Sequence, residues 1–447
     1  MGLTAQVGAF LADISPASVP AEAAGIVRGG FADCFAVLLA GWEEPACRIV
    51  RRTLDARGEE WRPLHRLSVP GPQHALIHAL AAHVLDYDDT ALGGHPSAVL
   101  VPSVLAEGLE TGTADGRTLI AAYVAGYEVW AELARREHDP LHAKGWHPSA
   151  VYGALAAAAA SSVLRGLDAR QAAHAVGIAA SMAGGIVANF GSMTKPFQLA
   201  RAAQSGLIAS RLAHSGLESS PDALEHDLGF LNAVSPGGRS DRDGESRLGC
   251  EWAILRQGVN IKLYPVCYAM HRSLDAMAFL LAQNPLRADE VSSVEVEIGE
   301  TQAALLRNHR PRTALDAKFS AEFGMAAMAL AGRCGPEQLS DSFVARDDVQ
   351  QFLPRINVRA IARSGSDGGT HSPFDRVSVI LADGRRIQSP PVAYALGHYR
   401  NPAPREALWR KFRECAVPAL AEREAQSLFD RVAGLEHARS VQELLLH

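Results

Sequence analysis

Apolar residues recur at a helical period of about 3.6 through most of the first 215 positions, and that spacing predicts a series of packed helices. The runs are 21–40, 44–56, 73–85, 97–109, 118–135, 152–164, 168–183 and 196–215. Asp115 is placed to cap the 118–135 run. Five consecutive alanines, Ala156 to Ala160, sit in the 152–164 run. Side chains that small let neighbouring helices approach closely, so this run is expected at the crowded centre of the domain. Positions 61–71 read as a loop or short strand, and the polar stretch 235–246 as a surface loop.

After Tyr264-Pro265 the period changes. Residues 291–298, Val-Ser-Ser-Val-Glu-Val-Glu-Ile, alternate as a half-buried strand does. Residues 377–381 and 385–388 flank Asp383-Gly384 and read as a hairpin. Helical runs at 270–281, 318–330 and 346–353 are interleaved with these strands, and helical spacing returns from Pro404. The expected fold is therefore mainly α. A large all-helical domain, 1–264 rejoined by 400–447, accompanies a smaller α+β domain at 265–399.

Composition narrows the function. The 447 residues carry 43 Lys+Arg against 49 Asp+Glu, a net charge of -6, which argues against a nucleic-acid partner. The first residues show no basic stretch followed by an apolar one, so no signal peptide is expected. The apolar stretch 175–192 approaches membrane-spanning length, but its Gly, Ser and Ala content suits a buried helix better. Six scattered cysteines without CxxC spacing read as reduced thiols. A cytoplasmic protein with no membrane partner is the expectation.

One pattern occurs twice. Gly93-Gly94-His95-Pro96-Ser97-Ala98-Val99 and Gly145-Trp146-His147-Pro148-Ser149-Ala150-Val151 both read G-x-H-P-S-A-V and both open a helical run. Proline suits the first helical position, which puts each histidine at an N-cap beside unpaired backbone donors. Thr194-Lys195-Pro196 opens a third run in similar fashion. Helix N-termini attract anions, so the three together suggest a carboxylate site. Just before His95 lies Asp86-Tyr87-Asp88-Asp89-Thr90, which can orient an imidazole and hydrogen-bond a substrate, and which alone reads equally well as an exposed acidic helix end.

Other chemistries fit less well. His74, His78 and His83 precede the 86–90 cluster, with His74 and His78 on one helical face, and a metal site with Asp86 or Asp88 is conceivable, but no HExxH pattern or cysteine joins them, so stacked, partly buried histidines are expected instead. Ser192-Met193-Thr194-Lys195 matches S-x-x-K without that motif's companions. Neither GxxxxGK[ST] nor GxGxxG occurs, which disfavours a nucleotide cofactor. The stretch from Lys262 to Arg272 concentrates a lysine, Cys267, His271 and an arginine at the inferred domain junction.

Six segments in order carry a resemblance: 83–90, Gly94-His95-Pro96-Ser97, Gly145-Trp146-His147-Pro148, Gly191-Ser192-Met193-Thr194-Lys195-Pro196, 264–271 and Ala317-Lys318-Phe319-Ser320. Together they make the chain resemble the MmgE/PrpD family. The resemblance implies a cofactor-free, metal-free homodimeric enzyme whose helical domain carries a smaller α+β lid, with the site between them. It implies His95, His147, Lys195 and Asp86 as catalytic residues and Thr90, Lys195, Cys267 and His271 as substrate contacts. The implied reaction removes a proton α to a carboxylate of a small di- or tricarboxylate. A lyase of the 2-methylcitrate dehydratase kind comes first, an iminodisuccinate-type epimerase second, and a non-catalytic dicarboxylate-binding protein stays open. Two departures bear on this choice. Phe323 stands where lyase members resemble F-S-x-x-Y, and Cys267 stands where decarboxylase members have a site histidine.

Overall fold

In the computed structural model, left-handed glycines close the helices Pro96–Thr111, Pro148–Arg165 and Ala321–Ala331. The model describes residues 1–55, 61–112, 114–284, 286–362 and 372–446. They group into two compact units, Met1–Ile261 with Arg405–His447, and Lys262–Pro404.

In the first unit the helices Gly71–His83, Pro96–Thr111, Gly116–Arg135, Pro148–Arg165 and Thr194–His214 bury most of their length. Asp115 caps the third of these by accepting from the Thr118 amide at 2.8 Å. Gly112 and Gly166 close two of them in the left-handed conformation that glycine adopts without penalty. The alanine run lies at the centre, as its small side chains require. A β-carbon at Gly206 would come 2.4 Å from the Ala157 β-carbon and 2.5 Å from the Ala158 nitrogen, so only glycine permits that helix contact. Arg405–Ala416 packs back on Ala21–Gly41, which brings the chain's end onto the first unit. Ala21–Gly41 is long and apolar enough to cross a membrane by length and composition, and 67% of its apolar window is buried inside the protein.

Three expectations shift. The apolar stretch 175–192 is not one helix: Ala169–Met182 stops before Gly184-Gly185, and a short 3₁₀ turn, Val187–Asn189, follows. Gly185 approaches Ala150 so closely that a β-carbon would lie 2.6 Å from it, and Ile186 beyond is 47% exposed. The 44–56 run is a helix over Pro45–Leu54, with Ala56 outside the described residues. The third X-Pro start opens earlier than its proline suggests, because Thr194–His214 takes Met193 as its N-cap and places Lys195 inside the first turn.

The second unit holds a four-stranded sheet in the order β2-β1-β3-β4: β1 is Val291–Gly299, β2 Ile356–Ile361, β3 Arg376–Leu381 and β4 Arg386–Gln388. β1 pairs parallel to β2 and antiparallel to β3, and Gly384 at φ +86° turns the β3–β4 hairpin. Val294, Val296 and Ile298 of β1 are fully buried, as their alternation predicts. The parallel strand β2 follows the expected 346–353 helix and has no clean alternation of its own. The expected 318–330 helix runs over Ala321–Ala331, starting later because Ser320 caps it by accepting from the Phe323 amide, and a separate short turn, Ala314–Ala317, precedes it. Phe323 is fully buried in this unit's core, edge-on to Phe343 with ring centroids 6.2 Å apart.

Candidate active site

The first unit gathers Asp86, Thr90, His95, His147 and Lys195 on helix ends and the loops beside them. His95 and His147 are the N-caps of Pro96–Thr111 and Pro148–Arg165, and neither uses its side chain to cap. Their imidazoles are thereby left for other work. The two repeats also touch: the Ser149 hydroxyl of the second accepts from the His95 amide of the first at 3.1 Å. Ser97, at the matching position, instead meets Asp89 through its amide at 3.2 Å and through its hydroxyl.

The 86–90 loop is shaped by a left-handed residue at Asp86 (φ 54°), a conformation aspartate tolerates better than most. Its carboxylate accepts from Lys195 Nζ at 2.8 Å, and His95 Nε2 lies 3.6 Å from the same oxygen. Thr90 is pinned through its backbone by a two-way bridge to Asn260. The carboxylate that grips imidazoles is Asp88. It lies 2.9 Å from His83 Nδ1 and 3.1 Å from His95 Nδ1. Burial alone would raise Asp88, but His83 and His95 hold it well below the usual carboxylate range.

His95 Nδ1 also lies 2.9 Å from the Asp89 carbonyl oxygen. A carbonyl only accepts, so Nδ1 carries the proton, and the neutral ring has its lone pair on Nε2. His83 repeats the arrangement on Asp88, and its buried Nε2 has no hydrogen-bond partner among the described residues. Burial, opposed by Asp88, lowers His83 to about 4. His147 is lowered to about 2, by burial first and then by the nearby His83, Lys195, His95 and His142. Its amide donates to the Gly185 carbonyl, and its buried Nδ1 is likewise unpartnered among the described residues. The His83 ring centroid lies 4.4 Å from that of His95 and 6.2 Å from that of His147. Phe190 closes one side, 4.9 Å and edge-on from His147 and 5.3 Å from Lys195 Nζ.

Phe190 thus joins the site beyond the residues singled out from the sequence, and within the 86–90 cluster Asp88 takes the imidazole-orienting role, with His83 as its second imidazole. The His83-x4-Asp88 spacing was available, but His83 reads as another member of a histidine-rich helix. Cys267 and His271 belong to the second unit. The Cys267 amide donates to the Lys318 carbonyl. His271 is fully buried, with Nε2 3.3 Å from the Val266 carbonyl and its ring against Tyr264 and Tyr268.

His83, Asp86, Asp88 and His95 present ligand atoms within 4.8 Å of one another, a donor set a divalent cation could in principle take. The hydrogen bonds argue for other use. Both Nδ1 atoms face Asp88, and Asp86 already holds the Lys195 ammonium. An ion would have to displace these contacts to gain its ligands.

Beneath the loop a second cation is buried. Lys411, from the returning C-terminal segment, pairs with Asp33, donates to the Tyr87 carbonyl at 2.7 Å and lies 3.9 Å from the Tyr87 ring centroid. Burial raises both Asp33 and Asp89 from the usual carboxylate range, Asp89 strongly. The D-Y-D-D loop therefore sits between one cation toward solvent and one in the core.

Sequence comparison gives this arrangement a family context. Models of the MmgE/PrpD N-terminal and C-terminal domains match residues 5–243 and 264–436. The chain is 28% identical to human cis-aconitate decarboxylase over 83% of its length and 78% of the relative's. It is 28% identical to the cis-aconitate decarboxylase of Aspergillus terreus, covering 78% and 75%. It is 26% identical to the cis-aconitate decarboxylase-like protein oryM of Aspergillus oryzae, covering 99% and 96%.

Proposed function

The chain belongs to the MmgE/PrpD family, and from that premise we propose a cofactor-independent lyase that moves a proton α to a carboxylate of a small di- or tricarboxylate. The observation that carries the proposal is the tautomer of His95. With Nδ1 set against the Asp89 carbonyl and Asp88, the neutral ring presents the lone pair of Nε2 beside the Lys195–Asp86 pair.

A C–H α to a carboxylate is a weak acid, so the developing enolate charge needs fixed positive partners. Lys195 supplies one, and the positive dipole ends of Pro96–Thr111 and Pro148–Arg165 lie behind the two histidines. His147 is the second proton-transfer group. Its protonated form is disfavoured by burial and nearby positive charge, so an arriving polycarboxylate raises its basicity and readies it as the acid. Thr90 is assigned to substrate binding. Loss of water, assisted by the acid, makes the enzyme a dehydratase-like hydro-lyase.

Return of the proton to the opposite face makes it an epimerase instead. That second reading is favoured by Phe323, which has no hydroxyl and whose ring is spent in the second unit's core. Loss of CO₂ instead of water would make it a decarboxylase, the activity the relatives' names give, and the resemblance sets Cys267 against that outcome. Free thiols at the six cysteines fit a reducing cytoplasm, and we place a homodimeric enzyme there.

His95→Ala and His147→Ala are each expected to lower turnover of the responsive acid by at least about 10²-fold while its thermal stabilisation of the protein persists. The assay panel is citrate, cis-aconitate, 2-methylcitrate and iminodisuccinate. Full activity in both variants would overturn the acid–base assignment. Binding by wild type without turnover of any acid would favour a carboxylate-binding protein.

A further inference from the structure

Two imidazoles of the proton-transfer site each bury one ring nitrogen that nothing satisfies. His83 is 1% exposed, and its Nε2 has no hydrogen-bond partner among the described residues. His147 is 2% exposed, and the same holds for its Nδ1. A buried polar atom in that condition is costly and calls for an explanation.

The two nitrogens are complementary. Asp88 is held ionised and accepts from His83 Nδ1 at 2.9 Å, so the neutral His83 ring keeps its lone pair on Nε2 and can only accept there. His147 can donate to that lone pair if its own proton sits on Nδ1. With the proton on Nε2 instead, both buried nitrogens would be acceptors and neither could satisfy the other. The ring centroids lie 6.2 Å apart with planes 27° from parallel, so a small turn of the side chains brings the ring edges within reach. Phe190, the other ring packed on His147 among the described residues, offers no nitrogen. Three more groups bear on His147 through their charge: Lys195, His95 and His142. Lys195 can only donate. His95 has Nδ1 on Asp88 and the Asp89 carbonyl, with Nε2 beside Asp86, and His142 sets its ring against Phe190.

We propose that His83 is the positioning residue of His147: its Nε2 accepts from His147 Nδ1–H when an acid is bound, so that Asp88 anchors both proton-transfer imidazoles, His95 directly and His147 through His83. The chemical consequence rests on the lyase reading, whereas the hydrogen bond itself does not. The Nδ1 proton of His147 stays in place throughout, which leaves Nε2 as its working atom. When Nε2 takes a second proton, the Nδ1–H bond to His83 becomes charge-assisted and strengthens. In the elimination, the α proton passes to His95 Nε2 and leaves its electron pair on carbon. The C–O bond then breaks with its pair going to oxygen, and the proton on His147 Nε2 joins that oxygen to form water. His95 afterwards releases its proton to solvent and His147 takes one up. Loss of His83 Nε2 therefore impairs the second proton step and spares the first.

¹⁵N NMR of the full chain with labelled histidine tests the hydrogen bond, alone and with citrate, cis-aconitate, 2-methylcitrate and iminodisuccinate in turn. The His147 signals are identified by their loss in His147→Asn. Wild type with an acid bound is expected to carry the His147 proton on Nδ1, and His83→Asn to move it to Nε2, the tautomer free imidazole side chains favour. A wild-type proton on Nε2 under every condition, or the same tautomer in His83→Asn, overturns the proposal. The consequence is read in D₂O, where deuterium entry at the α carbon and net turnover are followed in one sample. His83→Asn keeps an amide N–H where Nδ1 meets Asp88 and places nothing at Nε2, whereas His83→Gln places its amide oxygen there. In His83→Asn, turnover should fall at least about ten-fold while exchange stays within a few-fold of wild type, and His83→Gln should recover most of the turnover. A merely structural role would lower exchange and turnover together. That outcome, unchanged turnover in His83→Asn, or no recovery in His83→Gln would each overturn the positioning role. A wild type showing neither exchange nor turnover would defeat the lyase reading instead and leave the tautomer measurement standing.

Discussion

Asp88 is a fully buried carboxylate whose two imidazole neighbours decide what it does. Ionised, it accepts from Nδ1 of His83 and of His95 and keeps the lone pairs of both rings on Nε2. Asp88→Asn keeps the shape but presents an amide N–H, which favours the other tautomer of His95. Turnover is expected to fall by about 10²–10⁴-fold with little change in KM. Near-normal kcat would mean that the Asp89 carbonyl alone fixes the ring. His147 makes a separate prediction about pH. Its folded-state pKa, about 2, lies below the ordinary histidine value, so the folded chain binds fewer protons than the unfolded one at mildly acidic pH. Its contribution is present above about 6.5 and is lost as pH falls below that. In His147→Asn the residue no longer titrates, so the variant should gain on wild type by up to about 2 kcal/mol between pH 7 and pH 5. Urea unfolding at the two pH values measures this, and parallel losses would show that the folded protein protonates His147 freely.

Helix packing holds these side chains in place, and it was legible in the sequence to the extent that it rests on local signals. The G-x-H-P-S repeats announce two N-caps, and Asp115, the alanine run and the Asp383-Gly384 turn all appear where their chemistry puts them. What depends on distant partners was not legible. Ser320 breaks an apolar run that has helical spacing, and β2 takes its place from pairing with β1 rather than from its own pattern. Gly206 shows how tight the packing is: Gly206→Ala would drive a methyl into Ala157 and the backbone of Ala158, and should destabilise the protein by about 1–3 kcal/mol in denaturant unfolding. No measurable loss would mean that the Pro148–Arg165 and Thr194–His214 helices can part without cost. Lys411 ties the last helices to the site loop. The chain has five lysines among its 43 Lys+Arg, and this one occupies a slot, between Asp33 and the Tyr87 carbonyl, that suits a compact ammonium better than a guanidinium fork. Lys411→Met should cost about 3–5 kcal/mol by leaving Asp33 unpaired, and Asp33→Asn/Lys411→Met should recover most of it. A double variant as unstable as the single would place the cost elsewhere.

Across the whole molecule, the change of period near residue 264 and its return after Pro404 anticipate the mainly α architecture with one small mixed sheet. The functional residues were harder to read, because Asp88 and His83 acquire their roles only when the loop folds back on the helix end. The four-residue donor set around His95 also has meaning only in three dimensions. Since its atoms are engaged with one another and with Lys195, exhaustive chelation should leave turnover undiminished, and loss of activity restored by a divalent ion would reassign the cluster. The central claim is that His95 exchanges a proton with the carbon next to a substrate carboxylate. NMR in D₂O follows that event directly on the acid that stabilises the protein. The account predicts deuterium at that carbon with wild type and its disappearance in His95→Ala. Substrate that binds but stays fully protonated in the presence of wild type would contradict it.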